Sequence, residues 1–179
     1  MRHVTGPARE VKPMLSEVLA SKQIKEDPES LQVWGKDWTN GFVVAPSAIV
    51  FPESIDQIQD LVSYARSHHL KLVPSGGRTG LSGGAVASQG EVVVSFDHMN
   101  KILDFSAKDR IVSCQPGLIT ANLQTFAEAQ GLFYPVDFAS SGSSHIGGNV
   151  ATHAGGIKVI RYGLTRDWVA GMKVVTGAG

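Results

Sequence analysis

The sequence predicts an α+β domain. Three observations carry that expectation: a strand, helix, strand succession over residues 48–84, a strand hairpin over residues 102–114, and two glycine-rich stretches, 73–85 and 134–156, that follow regular elements too abruptly to be linkers.

Composition narrows the field before any element is placed. With 179 residues and 42% hydrophobic content the chain can build a real core, as one domain or two small ones. Lys and Arg together number 16, as do Asp and Glu, so no electrostatic footprint favours nucleic acid or an anionic membrane surface. A single cysteine, Cys114, excludes a disulfide or a cysteine-based metal site within the chain. No apolar run approaches a membrane span of about 20 residues, and residues 1–15 lack the hydrophobic stretch of a secretory signal. The expected location is cytoplasmic. Arg2 and Arg9 in an acid-poor leader also allow a mitochondrial matrix protein.

In chain order, Leu15, Val18 and Leu19 have the spacing of a short amphipathic helix beginning at Met14, and Asp27-Pro28 reads as a turn. Trp34 and Trp38 read as aromatic anchors for this N-terminal segment, residues 1–44. Residues 48–51 form a β-type run closed by Pro52. Ser54 with Gln57 then makes a capping box for a helix whose apolar face is Ile55, Ile58, Leu61, Val62 and Ala65. That helix ends near His68 and His69, adjacent imidazoles that suit a helix C-terminus better than a shared metal. A strand over 70–73 follows. Residues 91–96 form the next strand, and 102–105 with 111–114 make the hairpin, which holds Cys114 as a small buried residue. Thr120 caps a second helix with Leu123, Phe126 and Ala127 inward and Gly131 as its stop. A strand is expected over 172–176.

The first glycine-rich stretch, Val-Pro-Ser-Gly-Gly-Arg-Thr-Gly-Leu-Ser-Gly-Gly-Ala, has five glycines in thirteen residues. Glycine permits close backbone approach, so such a loop after a strand can wrap N–H donors around a phosphate, helped by the hydroxyls of Ser75, Thr79 and Ser82. It is not a Walker loop, because Leu81 rather than Lys follows Gly80, and Gly76-Gly77-Arg78 does not open a Rossmann fingerprint. The second stretch holds four serines, one threonine and five glycines in 23 residues and reads as a second ligand-lining wall. Within it Gly147-Gly148 would open a helical turn whose free N–H groups face an anion or a ligand carbonyl.

These loops resemble those of the FAD-binding domain shared by vanillyl-alcohol-oxidase-type and p-cresol-methylhydroxylase-type flavoproteins. The run Ser143-Ser144-His145-Ile146-Gly147-Gly148-Asn149-Val150-Ala151-Thr152, then Ala154-Gly155-Gly156 and Arg161-Tyr162-Gly163, looks closest to the FAD-linked D-2-hydroxy acid dehydrogenases acting on 2-hydroxyglutarate, lactate or glycolate. The resemblance covers residues 45–179. It implies a two-lobed FAD-binding domain of the p-cresol-methylhydroxylase type, truncated in its second lobe, with a first lobe over 45–100 and the start of a second over 101–179. Gly76, Gly77, Arg78, Thr79 and Gly80, flanked by Ser75, Leu81 and Gly84, would hold the pyrophosphate. Pro135, Ser140, Ser143, Gly147, Gly148, Asn149, Thr152 and Gly156 would line the rest of the cofactor.

Where some cousins attach FAD through histidine, this chain has Arg78, which implies noncovalent FAD. His153 replaces an Asn usual in relatives, and Ala139 replaces a common Gly. His145 and His153 have no evident carboxylate partner in the sequence, so structural hydrogen bonding is favoured over proton transfer for both. By resemblance the catalytic residues lie beyond Gly179, the chain is an N-terminal fragment, and no metal site is expected within it. The partners implied are a small 2-hydroxy acid and an electron acceptor that is a quinone, a cytochrome or an electron-transfer flavoprotein. The rival readings are a flavin-binding module without substrate chemistry and a UDP-N-acetylenolpyruvoylglucosamine reductase-like enzyme.

Overall fold

A computed structural model describes residues 12–179 of the chain. Helix α1 (Lys12–Leu15) unwinds into turns through residue 18, so the periodicity from Met14 is only partly helical, yet Leu15 and Leu19 are both buried. Strands β1 (Ile24–Lys25), β2 (Ala48–Val50), β3 (Leu72–Ser75) and β4 (Val92–Ser95) form one sheet in the order β1-β2-β4-β3. β1 is antiparallel to β2, and the other neighbours are parallel.

β1, with two residues, is too short to show a period in the sequence. A buried glutamine holds it in place: Gln23 Nε2 donates to the Phe51 carbonyl at 2.9 Å and to Gln57 Oε1 at 3.0 Å, while Phe51 N–H donates to the Gln23 carbonyl at 2.9 Å. Asp27-Pro28 is not a free turn. Asp27 caps helix α2 (Pro28–Trp34), accepting from Ser30 N–H at 2.9 Å, and Pro28 takes the first helical position, where its missing N–H costs nothing.

The parallel strands are covered on both faces, as their β-branched runs require. One face packs Ala48, Val50, Val92 and Val94 with Leu15, Leu19 and Leu61, and the other packs Ile49, Phe51, Val93 and Ala87 against Leu31 and Trp34 of α2. Helix α3 (Ile55–Ser67) buries Leu61, Tyr64 and Ala65, while Ile55 at its start is exposed. Ser54 Oγ accepts from Gln57 N–H at 3.2 Å as expected, but Gln57 Oε1 reaches past it to Glu53 N–H at 2.8 Å, so only half of the capping box forms. β3 sits two residues later than the apolar run suggested. Because β3 is an edge strand, Pro74 fits within it.

The second unit is the hairpin β5 (Ile102–Ser106) and β6 (Ile111–Cys114), followed by helix α4 (Thr120–Ala129). Phe126 meets Phe105 edge-on at 5.4 Å and fixes α4 against the hairpin. Cys114 is half-buried, and burial pushes its thiol up. Gly131 at φ 68° ends α4 in the left-handed conformation its sequence position suggested. Thr120 is not the cap: Ile119 precedes the helix without a side-chain bond, and the Thr120 hydroxyl is used elsewhere. Short helices α5 (Ile146–Thr152) and α6 (Val159–Tyr162) follow.

The strand expected over 172–176 does not form. Met172 and Val174 are exposed and find no partner strand, and a turn follows them, with Gly179 N–H donating to the Thr176 carbonyl at 3.0 Å. Residues 175–177 lie over an apolar hollow of about 350 Å³ between α3 and the β3 edge.

Gln23→Met should destabilise the chain by about 1–3 kcal/mol, since it leaves the buried Phe51 carbonyl without its side-chain donor. Ser54→Ala should cost about 1 kcal/mol. Urea midpoints measure both, and a Gln23→Met midpoint at or above that of Ser54→Ala would contradict the role given to Gln23.

Candidate cofactor site

β3 and β4 are parallel, with Ser75 opposite Ser95, so the chain leaves both strands at the same sheet edge. Ligands of open parallel sheets gather outside that carboxyl edge. The crossover that joins the two strands is the glycine loop itself, residues 76–91, with no helix in it. Among the described residues the N–H groups of 76–82 donate to no protein acceptor, whereas Gly83 N–H is taken by Thr39 Oγ1 at 2.7 Å. Beside them the fully buried Ser75 Oγ also lacks a partner. Residues 76–79 are half-buried and 80–82 exposed, a run of donors open to one side that an anion with several acceptor oxygens can satisfy.

The two glycine-rich stretches meet. A β-carbon on Gly77 would collide with the Ser143 carbonyl and lie 2.8 Å from Ser144 Cα, and one on Gly76 would lie 3.5 Å from His145 Cβ. A β-carbon on Gly84 or Gly148 would meet nothing within 4 Å. Gly77 is thus needed where wall touches wall, while Gly148 borders open space.

Threonine and asparagine brace the second wall from beneath. Thr120 is fully buried: its N–H donates to the Ser144 carbonyl at 3.0 Å, its Oγ1 lies 2.8 Å from Ser144 Oγ, and it accepts from Asn149 Nδ2 at 2.7 Å. Asn149 therefore points into the protein. The expectation of free N–H groups at the start of α5 fails for two of them, because Ile146 donates to the Leu118 carbonyl at 2.9 Å and Gly147 to the Pro116 carbonyl at 2.7 Å. Pro135 is fully buried, and a β-carbon on Gly156, at φ 146°, would collide with the Asp137 carbonyl. Ser140, Ser143, Gly148 and Thr152 remain on the accessible side, with Thr152 Oγ1 donating to the Gly148 carbonyl at 2.9 Å. In the first loop Thr79 is half-buried, and Gly80, Leu81 and Gly84 are exposed.

Arg78 adopts a left-handed φ of 59° and turns its side chain back under the loop. Its Nη1 donates to the Gly76 carbonyl at 3.1 Å and to Asp97 Oδ1 at 3.3 Å, and its guanidinium lies 5.6 Å from the centre of the Trp34 ring. Asp97 Oδ2 accepts from Trp34 Nε1 at 2.6 Å, and Asp97 Oδ1 stands 3.7 Å from His145 Nε2. Trp34 is thus the anchor the sequence suggested, whereas the Trp38 ring is 73% exposed and only its backbone N–H, donating to the Gly80 carbonyl at 3.1 Å, ties it to the loop. Asp97 is also the carboxylate partner that sequence reading did not find for His145. An acid two residues past a parallel strand adjoining the glycine-loop strand was the available signal, and it needed the β4-β3 adjacency to be seen.

Burial pushes the His145 imidazole below its usual pKa; Asp97 opposes that shift and Arg78 adds to it. His145 Nδ1 is buried and unpartnered beside Gly76. His153 closes α5 at φ 51°, ψ 51° with both ring nitrogens buried and unpartnered. His is enriched with Asn in that left-handed region, so the backbone conformation is compatible with the imidazole side chain. Among the described residues no cluster could hold a metal ion, and no helix is long and apolar enough to cross a membrane.

A loop of unmatched amides at a sheet edge, facing a second wall of small residues, defines a domain that binds a phosphate-bearing cofactor. A family model described as the FAD binding domain matches residues 46–179, and the chain belongs to that family. It is 66% identical over 157 residues to a D-2-hydroxyglutarate dehydrogenase of Stutzerimonas stutzeri, covering 88% of this chain and 34% of that protein. It is 34% identical over 171 residues to the glycolate oxidase subunit GlcD of Bacillus subtilis, covering 96% of this chain and 36% of that one. The chain thus spans about a third of the length of the curated relatives it matches.

Among solved structures, an alkyldihydroxyacetonephosphate synthase superposes with a TM-score of 0.84 at 23% identity, over 96% of this chain and 33% of that one. p-Cresol methylhydroxylase superposes with a TM-score of 0.69 at 19% identity, over 80% and 29%. The fold is that of the p-cresol-methylhydroxylase type.

Two predictions follow from this geometry. Gly77→Val should lower both the melting temperature and flavin retention, because it forces the walls apart, whereas Gly148→Val should lower flavin retention at a near-normal melting temperature. Equal thermal losses in the two variants would contradict the distinction. The lowered His145 pKa means that the unfolded chain takes up that proton first as pH falls, so stability drops as pH is lowered from about 6.5 towards the folded pKa. His145→Gln should flatten this part of the melting profile, and an unchanged profile would contradict a buried neutral imidazole.

Proposed function

We propose that this chain is the FAD-holding part of an FAD-linked dehydrogenase that oxidises a D-2-hydroxy acid to the 2-oxo acid, with 2-hydroxyglutarate the leading substrate. The observation that carries the reading is the loop of seven unmatched amides on the very stretch that the family model covers. The 66% identity to the relative named for 2-hydroxyglutarate favours that acid over glycolate.

In this reading the N–H groups of Gly76, Gly77, Arg78, Thr79 and Gly80 hold the pyrophosphate, and Gly148 with Ser140, Ser143 and Thr152 faces the remainder of the cofactor. FAD supplies hydride acceptance at its N5 atom when bound. The protein's own task is to bind, orient and exclude water. The Arg78 guanidinium, turned to Asp97 and Trp34, offers no nucleophile to the flavin, which supports noncovalent attachment. Catalysis also requires a base within hydrogen-bond reach of the hydroxyl and a cation to seat the carboxylate. The walls described here present no such pair, and we place both groups outside these 179 residues. The electrons then pass to a quinone, cytochrome or flavoprotein acceptor.

The purified chain should bind FAD well above FMN by flavin fluorescence titration, and acid precipitation should release the flavin to the supernatant. Equal affinity for FMN would overturn the pyrophosphate assignment, and flavin retained in the pellet would overturn noncovalent binding. With excess FAD and a dye acceptor the chain should give no dye reduction with D-2-hydroxyglutarate, D-lactate or glycolate. Substrate-dependent reduction would bring the chemistry within these residues and make His145 and His153 the candidate bases.

A further inference from the structure

Arg78 is a non-glycine residue in the left-handed region, within the run 76–82 whose N–H groups donate to no protein acceptor. A side chain in that conformation is disfavoured by about 1–2 kcal/mol, so something must hold it there. The loop's backbone supplies little: the Gly76 carbonyl accepts from the Arg78 guanidinium itself, at 3.1 Å. What fixes the guanidinium from outside the loop is Asp97, at 3.3 Å, together with the Trp34 ring. Asp97 is in turn fixed by the short bond from Trp34 Nε1, 2.6 Å, and stands 3.7 Å from His145 Nε2, at the start of the second wall. One carboxylate therefore joins the end of α2, the glycine loop and the residue opening α5. It is only 25% exposed, so solvent screens these contacts less than it would on an open surface.

We propose that Asp97 is the positioning residue of the cofactor site: through Arg78 it sets the glycine loop in its ligand-ready shape before any cofactor arrives. Asp97 touches no cofactor in this account. It acts by removing the ordering that the loop would otherwise undergo on binding, which is the general route by which preorganisation raises affinity. The ligand part of this inference rests on the FAD reading above; the part about loop order does not.

The test is a double-mutant cycle on the whole chain with Asp97→Asn, Arg78→Met and the double variant, read in two ways. Hydrogen exchange of the cofactor-free protein should show faster exchange in the peptide covering residues 74–84 for either single variant, with the sheet strands unchanged. FAD titration should show about tenfold weaker binding for Asp97→Asn, the size expected for losing the restraint on one left-handed residue. The double variant should be no worse than Arg78→Met alone in either measurement. Trp34→Phe, which keeps the ring but removes the donor to Asp97, should give a smaller loss in the same peptide.

Additive effects in the double variant, or exchange raised throughout the first sheet, would overturn the proposal and leave Asp97 as a general structural residue. If the wild-type chain bound no FAD, the FAD reading would fail, and the exchange data alone would decide the role of Asp97.

Discussion

The structure depends on one constraint: the glycine loop must keep its N–H groups unmatched and still be held in one shape. Backbone donors left unpaired in a fold are destabilising, so the order of such a loop has to come from groups around it. Here the loop spans two adjacent parallel strands whose register, Ser75 opposite Ser95, fixes both its ends. Gly77 presses it against the Ser143 carbonyl, and Arg78 ties it underneath to Asp97 and Trp34. Elements N-terminal to the loop contribute to that arrangement. Gln23 sews β1 and α3 to the end of β2, and α2 brings Trp34 beneath the loop.

The second wall solves a different problem with different chemistry. Its small residues would collapse onto one another without a brace, and the brace is a buried cluster of Thr120, Ser144 and Asn149 in which the threonine hydroxyl both donates and accepts. Low dielectric strengthens such a cluster when all its members are satisfied. Asn149 and Gly147 therefore serve the cofactor by shaping the wall, with the asparagine side chain and the glycine N–H both turned inward.

Much of this was legible in the sequence, for identifiable reasons. The strands over Ala48–Val50 and Val92–Ser95, the hairpin, α3 and α4 each carry a strong local period and clear end signals. Both glycine-rich walls were visible because five glycines in thirteen residues, and five with four serines in 23, have few structural explanations. What stayed hidden was non-local. β1 has two residues and is held through the neighbouring Gln23 side chain, which donates to a carbonyl 28 positions away. Asp97 becomes meaningful only when β4 is known to lie between β2 and β3, and nothing in Ser-Phe-Asp-His announces that order. The strand expected over 172–176 failed for the converse reason: its residues have strand propensity but no neighbour to pair with, and propensity alone does not make a strand.

The central claim is that the loop amides are the anion-binding element. Amide proton chemical shifts of Gly76, Gly77, Arg78, Thr79 and Gly80, followed while ADP and then FAD are titrated into the chain, test it most directly. The account predicts downfield shifts at these five residues with both ligands, and none with riboflavin, which lacks phosphate. Saturable FAD binding that left these amides unmoved would contradict it.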